Sequence, residues 1–345
     1  MEVKFWIIKV LTNPSASKKE LAIFCYNLKI KILFCLFKVF NQLSQTKIMT
    51  DEISFSKKKN NTTEAKFSIL IPTWNNLDYL KLCINSIRKN SFFAHQIIVH
   101  INEGTDGTKE WVKEQPDIDF SFSEKNIGVC FALNKCRFLA DTSYILYLND
   151  DMYVCPGWDE ALSKEIDAIG HPYFFLSSTA IEPQKNNNCS IIKDFGRDIH
   201  SFNEEKLLKE FHQLPMHDWS GATWPPNIVH KDIWDVAGGY SIEFSPGLYS
   251  DPDFSMKLWQ MGIRLFKGVG KSRVYHFGSM SVKRVKRNKG YYTFISKWGI
   301  TSSTLTKRYL HRGDKYEGLL QDPEIPFILR LKNLFKQIIA SFYRF

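Results

Sequence analysis

The segment Tyr144–Asp151, YILYLNDD, places two carboxylates directly after an apolar, strand-like run. It closes a series of such runs that begins with FSILIP at 67–72 and includes QIIVHI at 96–101. Between these runs, apolar residues recur at steps of three and four, which is typical of amphipathic helices. Strands that alternate with helices predict an α/β domain whose mostly parallel sheet is flanked by helices.

The charge is distributed unevenly along the 345 residues, whose formal net charge is +10. Residues 1–66 carry 12 Lys/Arg and 5 Asp/Glu, residues 67–282 carry 20 and 27, and residues 283–345 carry 14 and 4. A nucleic-acid binder usually carries its basic patch on the folded domain, whereas this central block is acidic, so we expect no nucleic-acid partner. We predict a basic helical extension at 1–43, a linker at 44–66, a catalytic domain at 67–282 and a basic C-terminal region at 283–345.

The N-terminal region lacks the pattern of a secretory signal, because lysines interrupt its apolar residues. Between Ala22 and Leu43 the longest uninterrupted apolar run is Ile32–Phe37, far short of the ~20 residues of a membrane span. This stretch predicts a helix that lies at a membrane interface or packs in a core. The seven cysteines are an odd number without zinc-ligand spacing, and we interpret them as reduced thiols of a cytoplasmic protein.

The last 21 residues, IPFILRLKNLFKQIIASFYRF, predict a second amphipathic helix. At 100° per residue, its apolar side chains share a sector of about 140°, with Arg330, Lys332 and Lys336 on the opposite side. This pattern is typical of a helix in a membrane interface. The alternative is a helix that packs on the body of the protein. Peripheral contact with the cytoplasmic face of a membrane is therefore one of two predictions for this helix.

Polar residues follow three of the predicted strands, as PTWNN at 72–76, NEGTDGT at 102–108 and NDD at 149–151. The carboxyl ends of parallel strands meet at one edge of a sheet, where ligands bind. Asp150 and Asp151 offer hard oxygen ligands that suit Mg²⁺ or Mn²⁺ held between the protein and a diphosphate. Taken alone, Asn-Asp-Asp is also a common turn sequence.

The order and spacing of these pieces resemble the family 2 glycosyltransferases of the GT-A fold, over roughly residues 67–282. The matching segments are FSILIPTWNN, IIVHINEGTDGT, NIGVCFALNKC, YLNDDMYVCPGW, GGYSIEFSPGLYSDPDFSMKLWQMG and VYHFGS. The resemblance implies a GT-A type, Rossmann-like sheet with amphipathic helical extensions at both ends of the chain. It also implies a nucleotide-sugar donor and a divalent cation, Mn²⁺ or Mg²⁺.

The resemblance further implies roles for individual residues. Asp151 is the last acid of the DxD-type motif and the expected metal ligand, and His276 is the expected second ligand of the metal or diphosphate. Asp150 orients the ribose or a metal-bound phosphate. Asn149 in the first acidic slot and Ile101 in place of an Asp depart from the family pattern. The nucleotide loop and nucleoside pocket are assigned to Pro72, Thr73, Asn102, Asn126 and Glu103, the last compensating for Ile101.

A second group of acids lies in Ser250-Asp251-Pro252-Asp253, before a helix-like run. Inverting glycosyl transfer needs a base that takes the proton of the acceptor hydroxyl. The resemblance aligns Asp251 with that base, and Asp253 is the second candidate for a catalytic role. Because Asp is also favoured at helix caps, we expect one of these acids to catalyse and the other to cap.

We therefore predict an inverting glycosyltransferase that moves a sugar from a nucleoside-diphosphate sugar to an acceptor hydroxyl. The acceptor is predicted to be a saccharide or a lipid-linked saccharide of surface glycan synthesis. The alternative is a catalytically inactive GT-A scaffold that binds a glycan or a partner, which Asn149 and Ser250 would suit. A nucleotidyltransferase is disfavoured, because PTWNNLDYL is neither glycine-rich nor basic.

Overall fold

A mixed β-sheet carries several residues of the predicted site at the ends of its strands. The computed structural model describes residues 53–58, 64–184, 188–278 and 289–343. The helical extension predicted at 1–43 lies outside the described residues, as does most of the predicted linker.

The sheet has the order β1-β4-β3-β2-β5-β10-β7-β11-β6, with β8 beside β7 and β9 beside β11. Its strands are β1 (Ser54–Ser56), β2 (Ser68–Trp74), β3 (Gln96–Asn102), β4 (Ile118–Ser123), β5 (Tyr144–Tyr147), β6 (Met152–Val154), β7 (Phe175–Glu182), β8 (Ser190–Ile192), β9 (Trp219–Ser220), β10 (Asn227–His230) and β11 (Phe266–His276). Strands β4, β3, β2 and β5 are parallel neighbours. Beyond them β10 pairs antiparallel with both β5 and β7, so the sheet is parallel only in part.

Helices connect most of these strands. The α-helices are α1 (Leu77–Asn90), α2 (Thr108–Glu114), α3 (Gly128–Arg137), α4 (Trp158–Ile169), α5 (Glu204–Glu210), α6 (Lys231–Ala237), α7 (Ser250–Gln260), α8 (Gly290–Trp298), α9 (Ser302–Thr304) and α10 (Phe327–Tyr343). A single π-helical turn follows α9 at Leu305–Tyr309.

Alternating residues of the parallel strands enter two apolar cores, one on each face of the sheet. Ile69 and Ile71 of β2 pack with α1 and α4, whereas Leu70 between them packs with α3 and α7. All three side chains are fully buried. The predicted α/β sheet flanked by helices is therefore confirmed.

Two predicted boundaries differ from the structure. Strand β1 lies inside the predicted linker and pairs with β4 at the edge of the sheet. Beyond 282, the chain contributes Phe294, Leu305 and Leu310 to the same core as Leu70. The folded domain therefore extends past both ends of 67–282. A strand of three residues carries too little periodicity to be separated from a linker in the sequence.

Helix α10 packs against α8 through its small and polar side. On that side Ala340 is buried, and buried Asn333 accepts a hydrogen bond from Thr304 at 3.2 Å. The exposed apolar face consists of Phe327, Ile328, Leu331, Leu334, Phe335, Ile338, Phe342 and Tyr343. None of the described helices has the length and hydropathy of a membrane span.

Candidate active site

A cleft of about 1050 Å³ opens at the carboxyl edge of β2, β3 and β5. The alternating strand and helix pattern explains its position, because each parallel strand ends at this edge and continues into a loop. Of the residues predicted from the sequence, Pro72, Asn102, Asn126, Asp150, Asp151, Asp251 and His276 line the cleft. Thr73, Glu103 and Asp253 do not line it.

The two acids after β5 are held in a buried position. Asp150 is 5% exposed and Asp151 2% exposed. The hydroxyl of Thr73 at the end of β2 donates to Asp150 Oδ2 at 2.7 Å. Thr73 therefore orients Asp150 from a position outside the cleft lining. The resemblance instead placed Thr73 in the nucleoside pocket.

His276, at the end of β11, lies between two carboxylates and contacts both. The pairing of β11 with β6 places His276 opposite Met152, next in sequence to Asp151. Its Nε2 lies 3.5 Å from Asp151 Oδ1, and its Nδ1 lies 2.9 Å from Glu182 Oε1. Burial alone would lower the pKa of His276, but the negative charges and hydrogen bonds of Asp151 and Glu182 raise it to about 10.

Asp151 and His276 fit a divalent cation that keeps few protein ligands. Among the described residues no group of three or more His, Cys, Asp or Glu is arranged to hold a metal by itself. Mg²⁺ usually takes one or two carboxylates and completes its shell with water and substrate phosphate. A histidine ligand must be neutral, so a cation and the proton of His276 would compete for this site.

Asp251 enters the cleft from the first turn of α7. Burial raises the pKa of Asp251 to about 7, and a hydrogen bond from Tyr240 opposes that rise. The phenol of Tyr240 donates to Asp251 Oδ1 at 3.1 Å. A carboxylate whose pKa is close to neutral is suited to general base catalysis.

Asp253 does not share this environment. It is fully buried, and its Oδ1 accepts from Trp298 Nε1 at 2.8 Å and lies 2.9 Å from Lys297 Nζ. The first residue before α7 is Tyr249, and no side chain caps the helix there. Asp253 therefore ties α7 to α8, and the expected division into a catalytic and a capping acid is not found.

The side of the cleft that the sequence assigns to the nucleoside is built from β2, β3 and the start of α3. Asn102 links these elements, since its Nδ2 donates to Thr73 O and its Oδ1 accepts from Ile127 N. Glu103 accepts from Trp74 Nε1 at 2.7 Å, so it holds a ring that lines the cleft. This role differs from a place in the nucleoside pocket, where the resemblance has Glu103 compensate for Ile101.

Three residues of the site were missed in the sequence. Glu182 and Tyr240 bond to the predicted ligand and base, and Arg312 lines the cleft. Trp224, for which the sequence favours core packing over stacking on a sugar ring, also lines the cleft. Glu182 ends an apolar run, as Asp150 does, and this was a usable signal. Tyr240 and Arg312 reach the site through contacts between distant segments and had no local signal.

The sheet order and the acid-lined cleft agree with the GT-A type fold that the sequence predicts. Residues 68–220 match the family model described as Glycosyl transferase family 2. The predicted resemblance to family 2 glycosyltransferases is thus confirmed.

Two known proteins are similar to this chain. Glycosyltransferase GlyA of Streptococcus pneumoniae serotype 4 is 27% identical over 123 residues, which are 33% of this chain and 18% of that protein. The match thus spans less than a fifth of that relative's length. The crystal structure of S. aureus TarS 1–349 has a TM-score of 0.50 and 14% identity, covering 81% of this chain and 72% of that one. This structural likeness shows the fold.

Proposed function

We propose that the protein is an inverting glycosyltransferase that moves a sugar from a nucleoside-diphosphate sugar to an acceptor hydroxyl. The observation that carries the proposal is that Asp151 and Asp251, which are 100 residues apart in the chain, line one cleft. Glycosyl transfer needs one group where the diphosphate departs and another where the hydroxyl attacks. In one cleft, Asp151 can act where the diphosphate departs and Asp251 where the hydroxyl attacks.

Each residue then has a distinct task. Asp151 and His276 would hold Mn²⁺ or Mg²⁺, which when bound supplies positive charge for the departing diphosphate. Thr73 keeps Asp150 oriented toward the donor through its hydrogen bond. The carboxylate of Asp251 takes the proton of the acceptor hydroxyl as the new bond forms. Pro72, Asn102 and Asn126 line the part of the cleft assigned to the nucleoside.

A thermal-shift screen of nucleoside diphosphates with Mn²⁺ or Mg²⁺ tests donor binding. A ligand that binds only the folded state raises the melting temperature in proportion to its occupancy. We expect one nucleotide to stabilise the protein, more strongly with metal than without, and Asp151→Asn to remove the metal effect. If no nucleotide stabilises the protein under any of these conditions, the donor assignment is wrong.

We further propose that the enzyme works in the cytoplasm, attached through α10 to the face of an anionic membrane. The support is the exposed apolar face of α10, together with the exposed cations Arg330, Lys332 and Lys336 beside it. Aromatic and aliphatic side chains with cations at their flanks are typical of interfacial helices. The acceptor in this proposal is a saccharide or a lipid-linked saccharide of surface glycan synthesis.

A further inference from the structure

Arg312 is held firmly at the cleft by its backbone. Its amide donates to Thr306 O at 2.9 Å, and the amide of Gly313 donates to Ser220 O at 3.0 Å. Gly221, at a φ of +86°, lies so close that a Cβ there would be 2.7 Å from Arg312 Cα. Only a residue without a side chain allows the backbone of Arg312 to lie this close to position 221, so Gly221 helps to fix the position of Arg312.

The guanidinium of Arg312 stacks on an aromatic ring, and the described residues offer it no anionic partner. Its Cζ lies 4.4 Å from the ring centroid of Trp224, and both side chains line the cleft. The Nη1 nitrogen is buried, and no hydrogen-bond acceptor for it lies among the residues that the structure describes. Across the described part of the chain, no carboxylate lies within ion-pair distance of Arg312, and Glu182 of the same cleft is bonded to His276.

An arrangement of this kind costs stability in the free protein. A buried donor without an acceptor loses its hydration and gains nothing in return, and the loss is larger for a charged group. Arginine stays protonated when burial lowers its pKa, as burial does for Arg312. The missing interaction is therefore one that a negatively charged ligand would supply, most favourably with two oxygens that match the planar fork.

The sheet order separates this group from the nucleoside side. The residues assigned to the nucleoside follow β2 and β3, on one side of β5 and its acids. Trp224 instead precedes β10, on the other side of β5, and its carbonyl accepts from Ser177 of β7. Asp150 and Asp151 thus lie between the strands assigned to the nucleoside and the strands next to Trp224 and Arg312. If the donor occupies the first side, the acceptor is left with the side of Trp224 and Arg312.

We propose that Arg312 and Trp224 form an acceptor subsite that binds an oxyanion, so that the acceptor is a negatively charged saccharide or polyol. The inference rests on the proposed glycosyl transfer and deepens it by assigning a substrate class. The ring of Trp224 holds the guanidinium flat, and the guanidinium pairs with a phosphate or a carboxylate of the acceptor. Both oxyanions share this chemistry, and the experiment distinguishes them.

The test is a saturation-transfer NMR titration of the full chain with four probes. Two are anionic, glycerol 3-phosphate and methyl β-D-glucuronide, and two are their neutral counterparts, glycerol and methyl β-D-glucoside. Each is titrated with metal and with the nucleoside diphosphate that gives the largest thermal shift, so that the donor side is filled. The proteins are wild type, Arg312→Gln, Arg312→Lys, and the control Arg308→Gln, which removes an exposed cation from the preceding turn.

We expect wild type and Arg308→Gln to bind at least one anionic probe about tenfold more tightly than its neutral counterpart. Arg312→Gln should lose this preference, and Arg312→Lys should retain part of it. The tighter of the two anionic probes identifies the oxyanion. Nucleoside diphosphate binding should be equal in all four proteins.

Two results would overturn the inference. One is an anionic preference that is absent from wild type or survives in Arg312→Gln. The other is a loss of nucleotide binding in Arg312→Gln, which would assign Arg312 to the donor. Failure of the proposed function is separate, since it would appear as an absence of nucleotide binding in wild type. In that case the probes are titrated without nucleotide. Loss of the preference for the anionic probe in Arg312→Gln would still support the inference, and its persistence would overturn it.

Discussion

Asp251 has a pKa near neutrality, and this makes its protonation visible in enzyme kinetics. As a base it must be ionised, so kcat/KM should fall as the pH drops below about 7. The hydrogen bond from Tyr240 lowers the pKa of Asp251, so Tyr240→Phe should move this acidic limb to higher pH. The measurement is the pH dependence of kcat/KM for both proteins.

A matched control is Tyr147→Phe, which removes another buried phenol, one that lines the cleft. Tyr147 donates no hydrogen bond to Asp251 within the described structure, so its replacement should leave the acidic limb at a pH no higher than in wild type. An acidic limb that stays in place in Tyr240→Phe would exclude Asp251 as the titrating base.

The two acids of α7 should respond differently to the loss of their charge. Asp251→Asn should reduce kcat by about 10²-fold to 10⁴-fold with little change in donor binding, because the base acts on the acceptor proton. The comparison is made by steady-state kinetics and nucleotide titration. An Asp251→Asn enzyme with wild-type turnover would contradict the assignment.

Asp253→Asn should instead affect stability. It weakens the contact with Lys297 and Trp298, and breaking a buried ion pair from one side costs about 3 kcal/mol. Denaturant unfolding should show this loss, and kcat should stay within about tenfold of wild type because Asp253 does not line the cleft. A stable but inactive Asp253→Asn protein would show that the catalytic acid has been misassigned.

The sequence predicted which segments reach the cleft better than which side chains face it. Successive residues of a strand point to opposite sides, so Pro72 and Trp74 line the cleft while Thr73 points behind it. Residues two positions apart in an α-helix point in directions about 200° apart around its axis. For this reason Asp251 and Asp253 face different surroundings. Such directions depend on how each element is rotated in the fold, which the motif alone does not specify.

At the level of elements, α10 packs on the body of the protein, as one of the two alternatives for its sequence predicts, and the membrane contact of the other alternative stays a prediction. Its polar side packs on α8 through Asn333 and Ala340, and its apolar side is exposed. Phe335→Glu should weaken binding to vesicles that contain an anionic lipid by about tenfold or more, because it puts a charge where an aromatic ring would be buried. Vesicle co-sedimentation measures this, and binding should fall as salt rises.

The control for this prediction is Phe92→Glu, which changes another exposed aromatic residue, between α1 and β3. It should bind vesicles as wild type does. Truncation after Pro323 should release the protein from vesicles while its nucleotide binding persists. Equal vesicle binding by Phe335→Glu and wild type would contradict the membrane proposal, and unfolding of the truncated protein would show that α10 serves the stability of the domain.

Elements with strong periodicity were predictable, and elements defined by distant pairing were not. The alternation of β2, α1 and β3 is visible in the apolar spacing of the chain. In contrast, β1 exists only because Ser54–Ser56 pairs with Phe120–Phe122, about 66 residues away. The packing of α8 into the core near Leu70 is also a long-range contact, so the sequence placed the domain boundary too early.

For the whole molecule, the acidic central block and the basic C-terminal region both contribute residues to the cleft. The central block 67–282 has an excess of acids and supplies Asp151 and Asp251, whereas the region from 283 carries 14 Lys/Arg against 4 Asp/Glu. That basic region contributes Arg312 to the cleft and α10 to the surface. The predicted separation into a catalytic domain and a basic appendage therefore fails at the cleft, which draws on both.

The most direct test of the account is release of nucleoside diphosphate from a panel of nucleotide sugars with Mn²⁺, using anionic and neutral glycans as acceptors. We predict that wild type turns over one donor in a metal-dependent manner. Asp151→Asn and Asp251→Asn should each lose at least about 100-fold in rate while remaining folded. Metal-dependent turnover that survives in both variants would contradict the account, and so would the absence of turnover of every donor by a wild type that binds nucleotide.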